Sequence, residues 1–101
     1  MSLTPEISDW QHVLKIVKSA ADSEQHEMLL TMLMTPDERE ALVARMNIFN
    51  ELLKGEISQR QISQMLGVGV ATITRGSNEL KIHTEDEREA LSQLLKVAES
   101  Q

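Results

Sequence analysis

Two glycines two positions apart, Gly67 and Gly69, interrupt a pair of short helical patterns and restrict the fold more than any other feature. The stretch from Ile57 to Lys81 reads as a helix, a glycine turn and a second helix. Ser58 can accept from the Gln61 amide while Gln61 reaches back, which is a capping box, and Ile57 and Ile62 are spaced as a hydrophobic staple. Gly67 stands where a helix ends on a left-handed residue, and Gly69 frees the backbone again. The second helix opens over Val70, Ala71, Thr72, Ile73 and Thr74. Two short helices around a glycine-containing turn make a helix-turn-helix. Ile62, Leu66, Val68 and Ile73 fall on inward positions. Ala71, Thr72, Thr74, Arg75 and Asn78 are left outside, and such groups suit base edges in a major groove. A plain helical hairpin with a polar face has the same pattern.

A chain of 101 residues forms one domain with a modest core of its own. It has no cysteine and two aromatic residues, Trp10 and Phe49, while methionine, leucine, alanine and glutamate are plentiful. That composition predicts an all-α fold. No stretch approaches the ~20 apolar residues of a membrane span, and the start lacks a signal pattern. The expectation is a soluble cytoplasmic protein with no membrane partner. The net charge of −6 is unevenly spread. Residues 58–81 carry Arg60, Arg75 and Lys81 against Glu79, while both flanking segments are acidic. A basic tip on an acidic body can bind DNA, because phosphate contact is local. A surplus this small is also ordinary scatter.

Six helices are expected, joined by short turns. Thr4-Pro5 opens the first, with Ile7, Trp10, Val13, Leu14, Val17 and Ala21 at helical spacing up to Ala21. Asp22 and Gln25 form a capping box for a helix from Glu24 to Leu33. Met28, Leu29, Leu30, Met32 and Leu33 make that helix apolar nearly all round, so it needs cover on most sides. One short chain offers little cover, which points to a second subunit. Thr35-Pro36-Asp37-Glu38 is the strongest helix start, leading to a stop at Gly55. Leu42, Met46, Phe49 and Leu53 form its stripe, which Arg45 interrupts. An arginine snorkelling to water is the simpler account of Arg45; an arginine held at a ligand or interface is the other. Thr84 and Glu87 box the last helix, where Leu91, Leu94, Leu95 and Ala98 share a side. No internal repeat is expected. His12, His26 and His83 lack metal-site spacing, and no nucleophile elbow or phosphate loop occurs. The expectation is therefore no enzyme, no metal and no cofactor.

Three segments carry a resemblance: T-P-D-E-R-E-A-L (35–42), E-L-L-K-G-E-I-S-Q-R (51–60) and G-V-G-V-A-T-I-T-R-G-S-N-E-L-K (67–81). Together they closely resemble the bacterial tryptophan repressor family. The resemblance implies an all-α, intertwined homodimer with six helices per chain and a helix-turn-helix reading head. It implies one domain over 1–101, with 1–56 and 82–101 in the dimer core and 57–81 as the head. The implied function is an L-tryptophan-dependent repressor whose corepressor-bound dimer binds operator DNA of tryptophan-biosynthesis genes. Arg45 and Arg75 are implied to sandwich the indole, with Arg75 and nearby Thr35 toward the ligand carboxylate. The backbone carbonyls of Met32 and Met34 are implied to take the ammonium, and Gly76 and Glu79 complete the ligand site. The pocket is implied to draw on both subunits. The implied DNA contacts are Arg60 and Gln59 with Val70, Ala71, Thr72 and Thr74; Asn78 and Lys81 address phosphates. Glu79 and Ser63 depart from the family's best-known member, which has serine and lysine there. A regulator of the same fold answering to a different small-molecule effector is the alternative.

Overall fold

The computed structural model describes residues 3–97, which form six α-helices and no strand. The helices are α1 (Trp10–Asp22), α2 (His26–Leu33), α3 (Pro36–Lys54), α4 (Gln59–Leu66), α5 (Val70–Ile82) and α6 (Glu85–Val97). The described residues fall into two compact units that divide between Arg39 and Glu40. Ala98, expected on the stripe of the last helix, lies outside the described residues.

In the first unit, two expected helix starts are displaced. The first helix is not opened by Thr4-Pro5. It begins at Trp10, because the Asp9 side chain accepts from the His12 amide at 2.9 Å. Asp22 does not box with Gln25 either; it is the last residue of α1. The turn is made instead by Glu24 in a left-handed conformation (φ 58), with the Gln25 amide donating to the Ala20 carbonyl at 2.6 Å. Helix α2 consequently starts two residues late and has no side-chain cap. No residue of α1 or α2 is buried. Trp10 is 67% exposed and Met32 77%, so the apolar stripes of this unit lie open in a single chain.

The second unit has a small core of Ile48, Ile62 and Ile73, flanked by Leu52, Ile57, Leu66 and Val68. The capping box of Ser58 and Gln61 forms in both directions, at 2.8 and 3.1 Å. Gly67 ends α4 with φ 68, a conformation that costs glycine little. Gly69 needs no such freedom: it is ordinary extended backbone and caps α5 without a side chain. On α3, the expected stripe is not the buried one. Ile48 is buried, while Leu42 and Met46 are exposed. The helix is apolar on two sides: one covers α4 and α5, and the other has no cover within this unit.

The expectation of no internal repeat fails on one short segment. T-P-D-E-R-E-A-L at 35–42 recurs as T-E-D-E-R-E-A-L at 84–91, and both copies build the same helix junction. The threonine hydroxyl accepts from the amide of the glutamate three residues on, at 3.2 Å for Thr35 and 3.1 Å for Thr84. Each glutamate accepts from its threonine's amide, at 2.8 and 3.0 Å. The arginine that follows ties up the end of the preceding helix. Arg39 donates to the Thr31 and Met34 carbonyls at 3.0 and 2.9 Å, and Arg88 to those of Leu80 and His83 at 3.0 and 2.5 Å. One octapeptide thus starts a helix, satisfies the carbonyls that the previous one leaves open, and adds acids at the positive end of the dipole.

Removing the hydroxyl in Thr84→Ala should cost about 1 kcal/mol, the usual cost of losing such a cap, measured by urea unfolding at fixed protein concentration. A second test isolates charge. Hydrogen bonds from Thr35, the backbone amide first and then the hydroxyl, hold the Glu38 carboxyl below its ordinary 4.5. The Thr84 amide and hydroxyl do the same for Glu87, with a smaller contribution from His83. A lowered folded-state value stabilises the fold above the unfolded value and loses that stabilisation as pH falls through the folded one. Glu38→Gln can keep the box but not the charge. Its melting temperature should lie below wild type above pH 4.5 and converge with it in more acidic buffer.

Candidate functional site

A cavity of about 880 Å³ opens in the second unit, between α3, α5 and α6. Its volume suits a small molecule. Helix α3 contributes Ala41, Ala44, Arg45 and Ile48, with Arg45 next to Ala44 and one turn from Ala41 and Ile48. The small alanines keep that wall low beside the guanidinium. Helix α5 contributes Thr72, Arg75, Gly76 and Glu79, which are spaced at three, four and seven residues and so share one face. Helix α6 adds Glu87, Arg88 and Leu91.

Arg45 and Arg75 therefore border the same space, from two different helices. Both are exposed, and neither has a hydrogen-bond or ion-pair partner among the described residues. Arg88 also borders the cavity but is committed to capping α5. Two uncommitted guanidiniums on one cavity are equipped to hold a carboxylate and the face of an aromatic ring.

Gly76 has a packing reason in addition to its place on the wall. A Cβ there would stand 3.0 Å from Ile48 Cγ2 and 3.5 Å from Phe49 Cε1. Glycine lets α5 approach α3 closely where the two cavity walls meet.

Of the other expected ligand residues, Glu79 lies on the cavity. Met32, Met34 and Thr35 belong to the first unit. Thr35 is spent on capping α3. The Met34 carbonyl already accepts from Arg39, and Met32 is largely exposed. Sequence reasoning missed His83, Glu87, Arg88 and the two alanines. His83 and Glu79 stand four apart at the end of α5, and that spacing was the available signal.

The expected DNA residues form a separate surface. Ala71, Thr74, Asn78 and Lys81 follow one another at helical spacing along α5, and all are exposed. Val70 begins that helix, 48% exposed. Arg60 is exposed in the first turn of α4, and Gln59 beside it accepts from the Thr74 hydroxyl at 3.1 Å. That bond joins the start of α4 to the outer face of α5. Thr72 departs from the group: it is exposed, but it lies on the cavity wall. Ser63 is turned inward, with its hydroxyl on the Val68 carbonyl at 2.5 Å, where it secures the turn between the helices. Among the described residues no cluster of histidine and carboxylates could hold a metal ion, and no helix is long and apolar enough to cross a membrane.

Comparison with known proteins gives a consistent result. The family model described as "Trp repressor protein" matches residues 8–95. The chain is 76% identical over 91 residues to the Trp operon repressor homolog of Vibrio cholerae serotype O1, covering 90% of this chain and 88% of that one. It is 70% identical over 95 residues to the homolog of Vibrio parahaemolyticus serotype O3:K6, covering 94% and 92%. The homolog of Aliivibrio fischeri strain ES114 is 66% identical over 95 residues, covering 94% and 88%.

Gly76→Ala tests the close approach of α3 and α5. Alanine gains about 1 kcal/mol in helix propensity over glycine. Its methyl must displace the buried Ile48 side chain, and overpacking costs about 1–3 kcal/mol. The net expectation is a lower melting temperature, read by thermal unfolding.

Proposed function

The chain belongs to the Trp repressor family, and from that premise we propose that it is an L-tryptophan-dependent repressor of tryptophan-biosynthesis genes. It acts in the cytoplasm as a homodimer on operator DNA, as a regulator and not an enzyme. The observation that carries the reading is that Arg45 on α3 and Arg75 on α5 border one cavity with no partner among the described residues. L-tryptophan supplies what they lack: a carboxylate for one face of the site and an indole ring for the two guanidiniums to flank. A cation on an aromatic face contributes about 0.5–2 kcal/mol.

The opposite face of α5 is the DNA reader. Ala71 and Thr74 address base edges, with Val70 and Thr72 at the start of the helix, and Gln59 is held to Thr74. Arg60, Asn78 and Lys81 meet phosphates. The Val70 and Ala71 amides at the start of α5 have no side-chain cap, which leaves them free for an anion at the positive end of the helix.

Residues 57–81 are the reading head, and 1–56 with 82–101 make the dimer core. The exposed apolar residues of α1, α2 and α6 support this division, since a second copy of the chain would bury them. Thr35 and the carbonyls of Met32 and Met34 complete the ligand site, where they can come from either subunit. The ligand favours DNA binding only if its affinity for the DNA-competent state exceeds that for the other.

Titrating operator DNA with and without L-tryptophan tests the mechanism. Tighter binding with the amino acid is expected, with affinity falling steeply as salt rises. Equal affinity in both conditions rejects the corepressor role. Arg75→Ala should weaken L-tryptophan binding on the order of tenfold by calorimetry, the equivalent of about 1.4 kcal/mol. Heat from another amino acid, and none from L-tryptophan, would reassign the ligand.

A further inference from the structure

The edge of the cavity carries an arrangement that the two arginines do not explain. Glu79 follows Arg75 by four residues on the same helical face, a spacing at which opposite charges normally pair. They do not pair here. Glu79 Oε1 is instead 3.3 Å from His83 Nε2. The other ring nitrogen of His83, Nδ1, is 3.6 Å from Glu87 Oε2.

This chain of contacts is anchored at its far end. Glu87 Oε1 accepts from both the amide and the hydroxyl of Thr84, at 3.0 and 3.2 Å. Its second oxygen is thereby presented to the imidazole. The backbone of His83 is fixed as well, because its carbonyl accepts from Arg88. A neutral imidazole donates to only one of the two carboxylates and a protonated one to both, so Glu79 is held when Nε2 carries a proton, in the Nε2–H tautomer or in the protonated ring. Thr84 thus fixes Glu87, Arg88 fixes the backbone of His83, and the Nε2–H of His83 holds Glu79.

We propose that His83 is a positioning residue that holds the Glu79 carboxylate off Arg75 and at the cavity edge, where Glu79 takes the ammonium of an α-amino acid. The inference rests on the assignment of the cavity as the L-tryptophan site. Two guanidiniums alone would accept any aromatic carboxylate. With Glu79 held nearby, the cavity presents positive charge for the carboxylate and negative charge for the ammonium. An analogue without the ammonium leaves Glu79 unpaired and facing an anion. Without His83, Glu79 is free to close on Arg75 and block the group the ligand needs.

Calorimetry of the full-length dimer at pH 7.5 and fixed salt, with L-tryptophan and with 3-indolepropionate, tests this. The second ligand has hydrogen in place of the ammonium. The readout is the ratio of their dissociation constants in wild type, Glu79→Gln, His83→Ala and the double variant. Glu79→Gln should lower the preference for L-tryptophan about 5-fold, in keeping with a half-exposed charge pair. His83→Ala should weaken both ligands, and adding Glu79→Gln to it should restore 3-indolepropionate binding to the level of Glu79→Gln alone. A structural role for His83 would not produce that recovery. An unchanged ratio in Glu79→Gln overturns the role of Glu79, and absence of recovery in the double variant overturns the positioning role of His83. If wild type gives no heat with L-tryptophan, the assignment of the cavity itself is rejected, and this inference with it.

Discussion

The contact of Ile48 with Ile62 and Ile73 governs the second unit, because it sets how α5 leaves α3. Both faces of α5, the cavity wall and the exposed side, follow from it. Once Ile73 is buried against α3 and α4, helical geometry puts Arg75, Gly76 and Glu79 on the cavity side. The same geometry puts Ala71, Thr74 and Asn78 outside. Arg45 lies three residues before Ile48, within one turn of α3. The core cluster is therefore also what places the two guanidiniums on one cavity. Gly76 allows the approach, and the glycine turn at Gly67 lets α4 and α5 share a single isoleucine core.

That core is small. Among the described residues the buried apolar side chains are Ile48, Ile62, Ile73 and Leu80, and four such residues bury little area against the backbone entropy of six ordered helices. Much larger apolar area is open to solvent, on Trp10, Leu14, Met28, Met32 and Leu33 in the first unit and on Val43, Met46, Leu94 and Val97 in the second. A family built as an intertwined dimer resolves the deficit, since each chain completes the core of the other. It also accounts for α3 being apolar on two sides. Ile48 and Leu52 serve the chain's own head, while Leu42 and Met46 have no such cover within their unit.

What was legible in the sequence was whatever depends on neighbouring residues. The boxes at Ser58, Thr35 and Thr84 form as their spacing predicts, and Gly55 and Gly67 terminate helices with positive φ. The misses are equally physical. Thr4-Pro5 and Asp22-Gln25 have acceptable capping spacing, but Asp9 and the left-handed Glu24 make better local arrangements. The repeat at 84–91 escaped notice because it spans one junction and not a whole structural unit. The cavity was half legible. Arg45 was visible as a charge breaking an apolar stripe. His83 and Glu87 belong to a helix junction that has an independent structural purpose, and the four-residue spacing of Glu79 and His83 was the one mark that tied them to the cavity.

The close packing at Gly76 also limits how a ligand can act on the reading helix. A Cβ at that point would already crowd Ile48, so no ligand can draw α3 and α5 nearer there, and well-packed cores yield little to compression. What remains is rotation about the contact. Arg75 is adjacent to this pivot and moves little when α5 tilts. Val70 and Lys81, toward the ends of the helix, move more, and they stand on the face assigned to DNA. In the proposed corepressor role, a ligand bound between Arg45 and Arg75 would have leverage: a small change in tilt beside Gly76 becomes a larger displacement at the ends of α5. Capping by Arg88 secures the far end of α5 to α6, so that displacement is carried by the helix as a rigid body and is not lost in fraying of its last turn.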